Sequence, residues 1–388
     1  MADRRVDASS LPVADPRTPV ELPNLDLLRA CAVLAVVIDH VLTMIATRLD
    51  LAVTPFVWHV GRVGVLTFFV HTSLVLMQSM ARTPLSGSRL FAHFYIRRAF
   101  RIYPLSILCI VMVLVLGAPR VAWEQPLPRT FGTIASNLLL TQNLTRSEAV
   151  LGPMWSLPYE VQMYALLPFL FVLTRRMPLM AGALGLWVAS VFAAEVQPHV
   201  PGASRLDVAH YSPCFLAGVV AYAGLLSVSP RLPSWSWPLL VLALMAGYVG
   251  ISLATETIHS PWLGWGYAAI VGLLIPWVRQ ISSPPLVRVS HLIARYSYGI
   301  YLFHLLALWL AFRALPQSIW WATALAVLIG AAMTLAAYHL IETPGIALGV
   351  RLARRLVSRT AGTVRASDVD RAARCPAGAD RKEGAEAG

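Results

Sequence analysis

The chain has 388 residues, of which 57% are hydrophobic and only 13% are charged, and its formal net charge is +12. Soluble domains carry about 25% charged residues, so the composition argues against a water-soluble enzyme, a disordered protein and a nucleic-acid binder. It indicates an integral membrane protein. The spacing of the cysteines predicts neither a disulfide framework nor a metal site. The cysteines are Cys31, Cys109, Cys214 and Cys375.

Runs of roughly 20 mostly apolar residues, each long enough to cross a bilayer, predict about ten membrane-spanning helices. The predicted spans are 25–46, 62–80, 101–117, 154–174, 178–195, 211–228, 237–253, 261–278, 292–313 and 318–341. The first run is too long for a signal-peptide core and has no small-residue cleavage site after it, so it reads as a retained helix. The expected fold is an all-α, polytopic transmembrane bundle.

Three regions follow from this pattern. Residues 1–22 form a polar tail that we expect to be disordered, residues 23–350 form one transmembrane domain, and residues 351–388 form a basic tail of the same character as the first. The longest loop on the side opposite the tails spans residues 118–153, and we expect part of it to be helical.

The basic residues predict the orientation of the bundle. Of the 31 Lys and Arg side chains, 24 fall on the side of the two termini and 7 on the other. Loops rich in Lys and Arg stay in the cytoplasm, so both termini are predicted to be cytoplasmic, in the inner (plasma) membrane of the cell. The charge of +12 is then a topology signal and implies no acidic partner.

Ionisable side chains within predicted spans often mark function, because they are costly in the bilayer. Arg29 and His40 lie 11 residues apart on the first helix, which places them on one face at an axial separation of roughly 16 Å. That face offers an anion site at one end and a neutral base at the other. A snorkelling arginine and a histidine bonded within the core would explain the same pattern. Asp39 would orient His40 or contact another helix instead.

The third span begins with two arginines one turn apart. Arg98 and Arg101 could form a clamp for an anion, or they could only anchor the cytoplasmic end of the helix. Glu342, at the cytoplasmic end of the tenth span, could pair with one of these arginines or serve as a polar helix end.

Four ionisable groups are predicted to lie in the middle to outer part of the membrane. They are His40, His71, Glu160 and His304. A shared layer of such groups favours a water-filled cavity or a site that handles protons. The alternative is a set of separate, hydrogen-bonded polar groups on different helix faces.

Six motifs, in order, resemble the acyltransferase 3 family of bacterial membrane acyltransferases, and the resemblance spans about residues 23–350. The motifs are RACAVLAVVIDH, GVLTFFV, RRAFRIYP, WSLPYE, SYGIYLFH and IETP. Two elements depart from the family pattern. Asp39 replaces the usual glycine before the histidine of the first helix, and FFVHTS, which contains His71, replaces FFVxSG.

The resemblance implies roles for the motif residues. His40 matches the essential histidine of the family, Arg29 the arginine of the same motif, and Glu160 the acid of the WSLxxE element. Arg98 and Arg101 match the pair that is thought to hold the phosphates of coenzyme A. His304 and Glu342 match recurrent positions of less defined role.

The implied reaction is transfer of an acyl group, expected to be acetyl, from cytoplasmic acyl-CoA to a hydroxyl. The acceptor would be a carbohydrate, a glycolipid or a small molecule. His40 would act as general base, assisted by Glu160 or Asp39, with no metal. The sequence leaves the oligomeric state open. The rival interpretation is a proton-coupled transporter or flippase, for which no clear inverted repeat is visible.

Overall fold

A computed structural model describes residues 22–51, 55–118, 130–202, 207–256, 260–316 and 318–355. The predicted all-α fold is confirmed over these residues. Twelve α-helices are present in the described part of the chain. They are α1 (Pro23–Arg48), α2 (Pro55–Ala81), α3 (Gly87–Leu116), α4 (Phe131–Leu138), α5 (Gln142–Thr145), α6 (Leu157–Thr174), α7 (Leu179–Val196), α8 (Val208–Ser227), α9 (Ser236–Ala254), α10 (Pro261–Leu274), α11 (Pro284–Ala314) and α12 (Ile319–Ala337).

Nine helices of the described residues are long and apolar enough to cross a membrane, compared with the ten that were predicted. The difference is α10, which has only 14 residues before a 3₁₀ turn at Ile275–Trp277. This helix nevertheless returns the chain to the level where α9 begins. The backbone N–H of Leu232 donates to the Trp277 carbonyl at 2.9 Å, and Leu232 forms a β-bridge with Val278. α9 and α10 therefore form an antiparallel pair of similar depth.

Polar contacts show which helix ends lie together. At the start of α1, the Asn24 side-chain amide donates to the Arg279 carbonyl at 3.1 Å, and the Asn24 carbonyl accepts from Trp237 Nε1 at 2.8 Å. The starts of α1 and α9 and the end of α10 thus share one end of the bundle. At the other end, the Arg48 guanidinium donates to the Phe312 carbonyl at 3.2 Å. Which end faces the cytoplasm remains a prediction from the basic residues.

Small residues let α1 pack closely between its neighbours α2 and α11. A Cβ atom on Gly64 of α2 would lie 2.6 Å from the Ala32 carbonyl oxygen of α1. Such close backbone approach is typical of membrane helix pairs, because van der Waals packing, and not the hydrophobic effect, holds them together in lipid.

The chain after α12 departs from regular α-helix and then resumes it. Residues Tyr338–Glu342 form a π turn, which is rare and often accompanies functional sites. Helix then continues through Arg355, so the first residues assigned to the basic tail are helical. The rest of that tail, with Cys375, and residues 1–21 lie outside the described residues. The long loop is partly helical as expected, in α4, α5 and the 3₁₀ turn Gly152–Ser156.

Candidate active site

His40 lies in the interior of α1, and its own helix determines which ring nitrogen can act as a base. Nδ1 donates to the Val36 carbonyl, one turn earlier, at 2.9 Å. A neutral imidazole has a proton on only one nitrogen, so this bond leaves Nε2 with a lone pair. The ring is therefore held in the tautomer that a general base needs.

Asp39 lies beside the same ring, although neighbours on a helix point about 100° apart. Its Oδ2 atom is 3.4 Å from His40 Nδ1, and the residue is only 8% exposed. A glycine on α2 makes room for the carboxylate, since a Cβ atom on Gly61 would overlap Asp39. Asp39 thus lies both beside His40 and against α2, so the two contacts given as alternatives occur together.

The ring of His304 on α11 packs edge-on against the ring of His40, with centroids 4.9 Å apart. Nδ1 of His304 donates to the carbonyls of Ile300 and Tyr301 at 3.1 and 2.9 Å. Its Nε2 is buried and has no hydrogen-bond partner among the described residues. Two imidazoles thus meet inside the bundle, and each keeps Nε2 as the unprotonated nitrogen.

Arg29 and Glu160 line a small polar pocket, about 60 Å³ in volume, among α1, α2, α6 and α11. Arg29 Nε donates to Ser297 Oγ at 2.6 Å. The Glu160 carboxylate accepts from Tyr164 and, at 3.5 Å, from Thr72. Glu160 thus lies with Arg29, and His304 lies with His40.

Tyr301 joins the two groups. Its ring lines the polar pocket and lies 6.2 Å, centroid to centroid, from the ring of His304. Its hydroxyl is hydrogen-bonded to Ser156 at 2.8 Å, and it also donates to the Pro153 carbonyl. The motifs that contain Ser156, Ser297 and Tyr301 were recognised in the sequence, but the roles of these three side chains were not.

Glu342 forms an ion pair with Arg101, which is one of the two arginines proposed as its partner. The guanidinium donates to a carboxylate that is only 1% exposed and lies in the π turn after α12. Arg98 has no ion-pair partner among the described residues. The two arginines are therefore not equivalent, since Arg101 forms an ion pair whereas Arg98 lies only within electrostatic range of the Glu160 carboxylate.

His71 is buried on α2, directly before Thr72, and lies within electrostatic range of Arg29. It is therefore associated with the polar pocket that contains Arg29. His71 occupies the variable position of the FFVxSG element and places an imidazole within electrostatic range of Arg29, which lines the pocket with Glu160.

Comparison with known proteins adds one finding to this geometry. A sequence model described as an acyltransferase domain, that of the acyltransferase 3 family, matches residues 22–341. The match covers all the site residues described above except Glu342, which directly follows it. No curated protein and no solved structure matches the chain.

Proposed function

The chain belongs to the acyltransferase 3 family and is a multi-pass membrane enzyme that transfers acyl groups, and we propose that it moves an acyl group from cytoplasmic acyl-CoA to a hydroxyl. Acetyl-CoA is the proposed donor, and a carbohydrate, glycolipid or related molecule is the proposed acceptor. Family membership favours this enzyme over the rival transporter or flippase. The inner (plasma) membrane is the proposed location.

The observation on which the proposal rests is the fixed tautomer of His40. In the proposed step, Nε2 removes the proton from the acceptor hydroxyl while the oxygen attacks the thioester carbonyl carbon. The new C–O bond forms, the C–S bond breaks, and the proton on the imidazolium passes to the departing thiolate to give free CoA. General base catalysis of this kind contributes about 10²–10⁴-fold to a rate.

Asp39 suits the role of the acid that stabilises the imidazolium. A carboxylate beside Nδ1 favours the protonated ring, as in the Ser-His-Asp arrangement of hydrolases, and the distance of 3.4 Å permits this interaction. Glu160 bonds to Tyr164 and Thr72 instead. We therefore assign Glu160 to the binding of the donor or to the positioning of Arg29.

The guanidinium groups of Arg29 and Arg98 are proposed to bind the phosphates of the donor, with Arg101 held in place by Glu342. Arginine suits this task because its planar fork can form two parallel hydrogen bonds with a phosphate. Arg29 lies on the same helix as His40, at an axial distance of roughly 16 Å. The extended pantetheine arm would have to bridge this distance.

The test is an assay of the full-length protein in liposomes with radiolabelled acetyl-CoA and cell-envelope extract as the source of acceptor. We expect His40→Ala to lose about 10²–10⁴-fold in label transfer and CoA release, with acetyl-CoA binding retained. His59→Gln is the matched control, because His59 is a buried histidine on α2 that bonds to Ser252 Oγ at 2.6 Å. Full activity in His40→Ala would refute the assignment of the base.

A further inference from the structure

An apolar groove with a volume of about 380 Å³ runs between α1, α11 and α12. This volume is within the usual range for small-molecule sites. Most of its lining is hydrocarbon, and the lining residues with polar side chains are Tyr296, His304, Thr323 and Thr334. The other residues discussed below that line it are Val37, Leu292, Val327, Ala331 and Leu335.

The groove is continuous with the lipid-facing surface of the protein. Residues along its rim are exposed at the outside of spanning helices, with Val327 65%, Leu292 55% and Leu335 46% accessible. In a bilayer this rim meets lipid tails, so that a hydrocarbon chain could enter sideways without crossing water. A phosphate or a nucleotide would be costly there, because charged groups are strongly disfavoured in the hydrocarbon region.

The groove meets the candidate active site at one point. His304 lines it, touches the ring of His40, and has a buried Nε2 that is not hydrogen-bonded to any described residue. Leu292 and His304 are 12 residues apart on α11, so roughly 18 Å of the groove extends from the imidazole towards the start of that helix. Tyr301, on a neighbouring face of α11, lines the polar pocket instead.

We propose that this groove binds the hydrocarbon tail of a lipid-linked acceptor and that the hydroxyl of this acceptor reaches the His40–His304 pair from within the bilayer. The inference rests on the proposed function and names the acceptor class for the same site. The two substrates then approach from different sides of α11, the donor through the pocket with Arg29 and the acceptor through the groove. The acylated lipid returns to the bilayer by the same opening.

The hydrocarbon in the groove is assigned to the acceptor and not to a long acyl chain of the donor. A tail that is already dissolved in the bilayer can enter through an opening that extends along the length of the groove. The chain of an acyl-CoA would have to enter end-on, from the polar pocket, past Tyr301 and the paired rings. Only the entry of an acceptor tail from the bilayer requires the exposed rim of the groove.

The test is photolabelling of the full-length protein in phosphatidylcholine liposomes with hexadecyl glucoside that has a diazirine in its tail. We expect labelled peptides to come from α11 and α12. Ala331→Trp should lower this labelling about tenfold, as expected when a hydrophobic pocket is filled. Ala332→Trp is the matched control, because Ala332 is the next residue on α12, is also exposed, and does not line the groove.

The inference would be overturned if other lipid-facing helices, such as α7 and α9, were labelled as strongly as α11 and α12. It would also be overturned if Ala331→Trp and Ala332→Trp were labelled equally. A second arm compares turnover with acetyl-CoA and palmitoyl-CoA. If Ala331→Trp spares the labelling and impairs only palmitoyl-CoA, the groove belongs to the donor and the acceptor assignment is wrong. Photolabelling needs no turnover, so its answer stands even if the His40→Ala test rejects the proposed reaction.

Discussion

At the scale of single residues, the backbone of the bundle prepares both imidazoles for proton transfer. His40 donates Nδ1–H to the carbonyl of Val36, and His304 donates to that of Ile300, in each case four residues earlier on the same helix. A long helix interior presents carbonyls at this offset, so no additional side chain is required to fix the tautomer. The two rings then keep a basic nitrogen in a region that excludes bulk water.

The contact between Asp39 and His40 predicts a kinetic effect confined to the chemical step. We expect Asp39→Asn to lower kcat by about 10–100-fold, the range known for carboxylates beside metal-bound histidines, because an amide stabilises the imidazolium less than a carboxylate does. The KM for acetyl-CoA should stay unchanged. Steady-state kinetics at saturating acceptor would measure both quantities.

Asp26→Asn is the control for this prediction. Asp26 is also on α1 and also bonds to a histidine of α11, His291, at 2.8 Å, but it lies at the end of the bundle away from His40. Equal kcat in the two variants would show that Asp39 has no specific role in the reaction.

The sequence could place these residues only in part. Hydropathy gives the depth of His40 and His304 along their helices, because each residue adds a fixed rise. It does not give the rotation of one helix against another, which depends on packing contacts between distant segments. The His40–His304 contact and the separation of Glu160 from both rings therefore became visible only in the structure.

At the scale of helices, the pair α1–α2 positions both His40 and Asp39, and its close packing depends on Gly64. We expect Gly64→Ala to destabilise the protein by about 1–3 kcal/mol, as overpacking does, since the new Cβ would lie 2.6 Å from the Ala32 carbonyl oxygen. Thermal unfolding in detergent, followed by the loss of monodisperse protein, would show a lower midpoint.

Gly247→Ala provides the comparison, because Gly247 is in α9 and a Cβ there meets no atom within 4 Å. Alanine is favoured over glycine in a helix by about 0.5–1 kcal/mol, so this variant should unfold at the same temperature as the parent or slightly higher. A midpoint for Gly64→Ala as high as that of Gly247→Ala would contradict the packing argument.

The Arg101–Glu342 ion pair connects α3 to the π turn that follows α12. We expect Arg101→Met to destabilise the fold by about 3 kcal/mol, because it leaves a buried carboxylate without a countercharge. The double variant Arg101→Met with Glu342→Gln should recover most of this loss, since no unpaired charge remains. Chemical unfolding of the single and double variants measures the coupling.

Donor binding should distinguish this pair from Arg98. Arg98→Met should bind acetyl-CoA more weakly than Arg101→Met, with or without Glu342→Gln. The reason is that Arg98, unlike Arg101, has no ion-pair partner among the described residues. Equal loss of affinity at both positions would indicate that Arg101 contacts the phosphates in spite of Glu342.

The helices themselves were predictable where the apolar runs were long. Nine of the ten expected spans are helices of spanning length among the described residues. The exception, α10, ends after 14 residues because Pro276 follows in a 3₁₀ turn. A hydropathy scan does not detect such a change, since Ile275, Pro276 and Trp277 do not interrupt the apolar run. The π turn at Tyr338–Glu342 was also not predicted, because hydropathy does not show whether the backbone hydrogen bonds of a helix span four or five residues.

At the scale of the whole molecule, the two proposed substrates have separate routes to the His40–His304 pair. The polar pocket is connected to the pair through Tyr301, and the groove is lined by His304 itself. The donor is charged and water-soluble, whereas a lipid-linked acceptor is confined to the membrane. Separate entrances let each substrate reach the rings from the phase in which it is soluble. The polar pocket, of about 60 Å³, is small beside the groove of about 380 Å³.

This arrangement requires that the end of the bundle where α1 begins faces the cytoplasm, where acyl-CoA is found. The positive-inside rule predicts the same orientation, since the predicted topology assigns 24 of the 31 basic residues to that side. Ser282 is exposed at this end, between α10 and α11, and Leu49 is exposed at the opposite end, directly after α1.

Cysteine labelling in intact cells tests the orientation. In a variant without the four native cysteines, we expect Leu49→Cys to react with a membrane-impermeant maleimide in intact cells, because it lies outside the cytoplasm. Ser282→Cys should react only after the membrane is permeabilised. The reverse pattern would place the end of the bundle with Arg29, Arg98 and Arg101 towards the exterior, where no acyl-CoA is available, and would require a different donor.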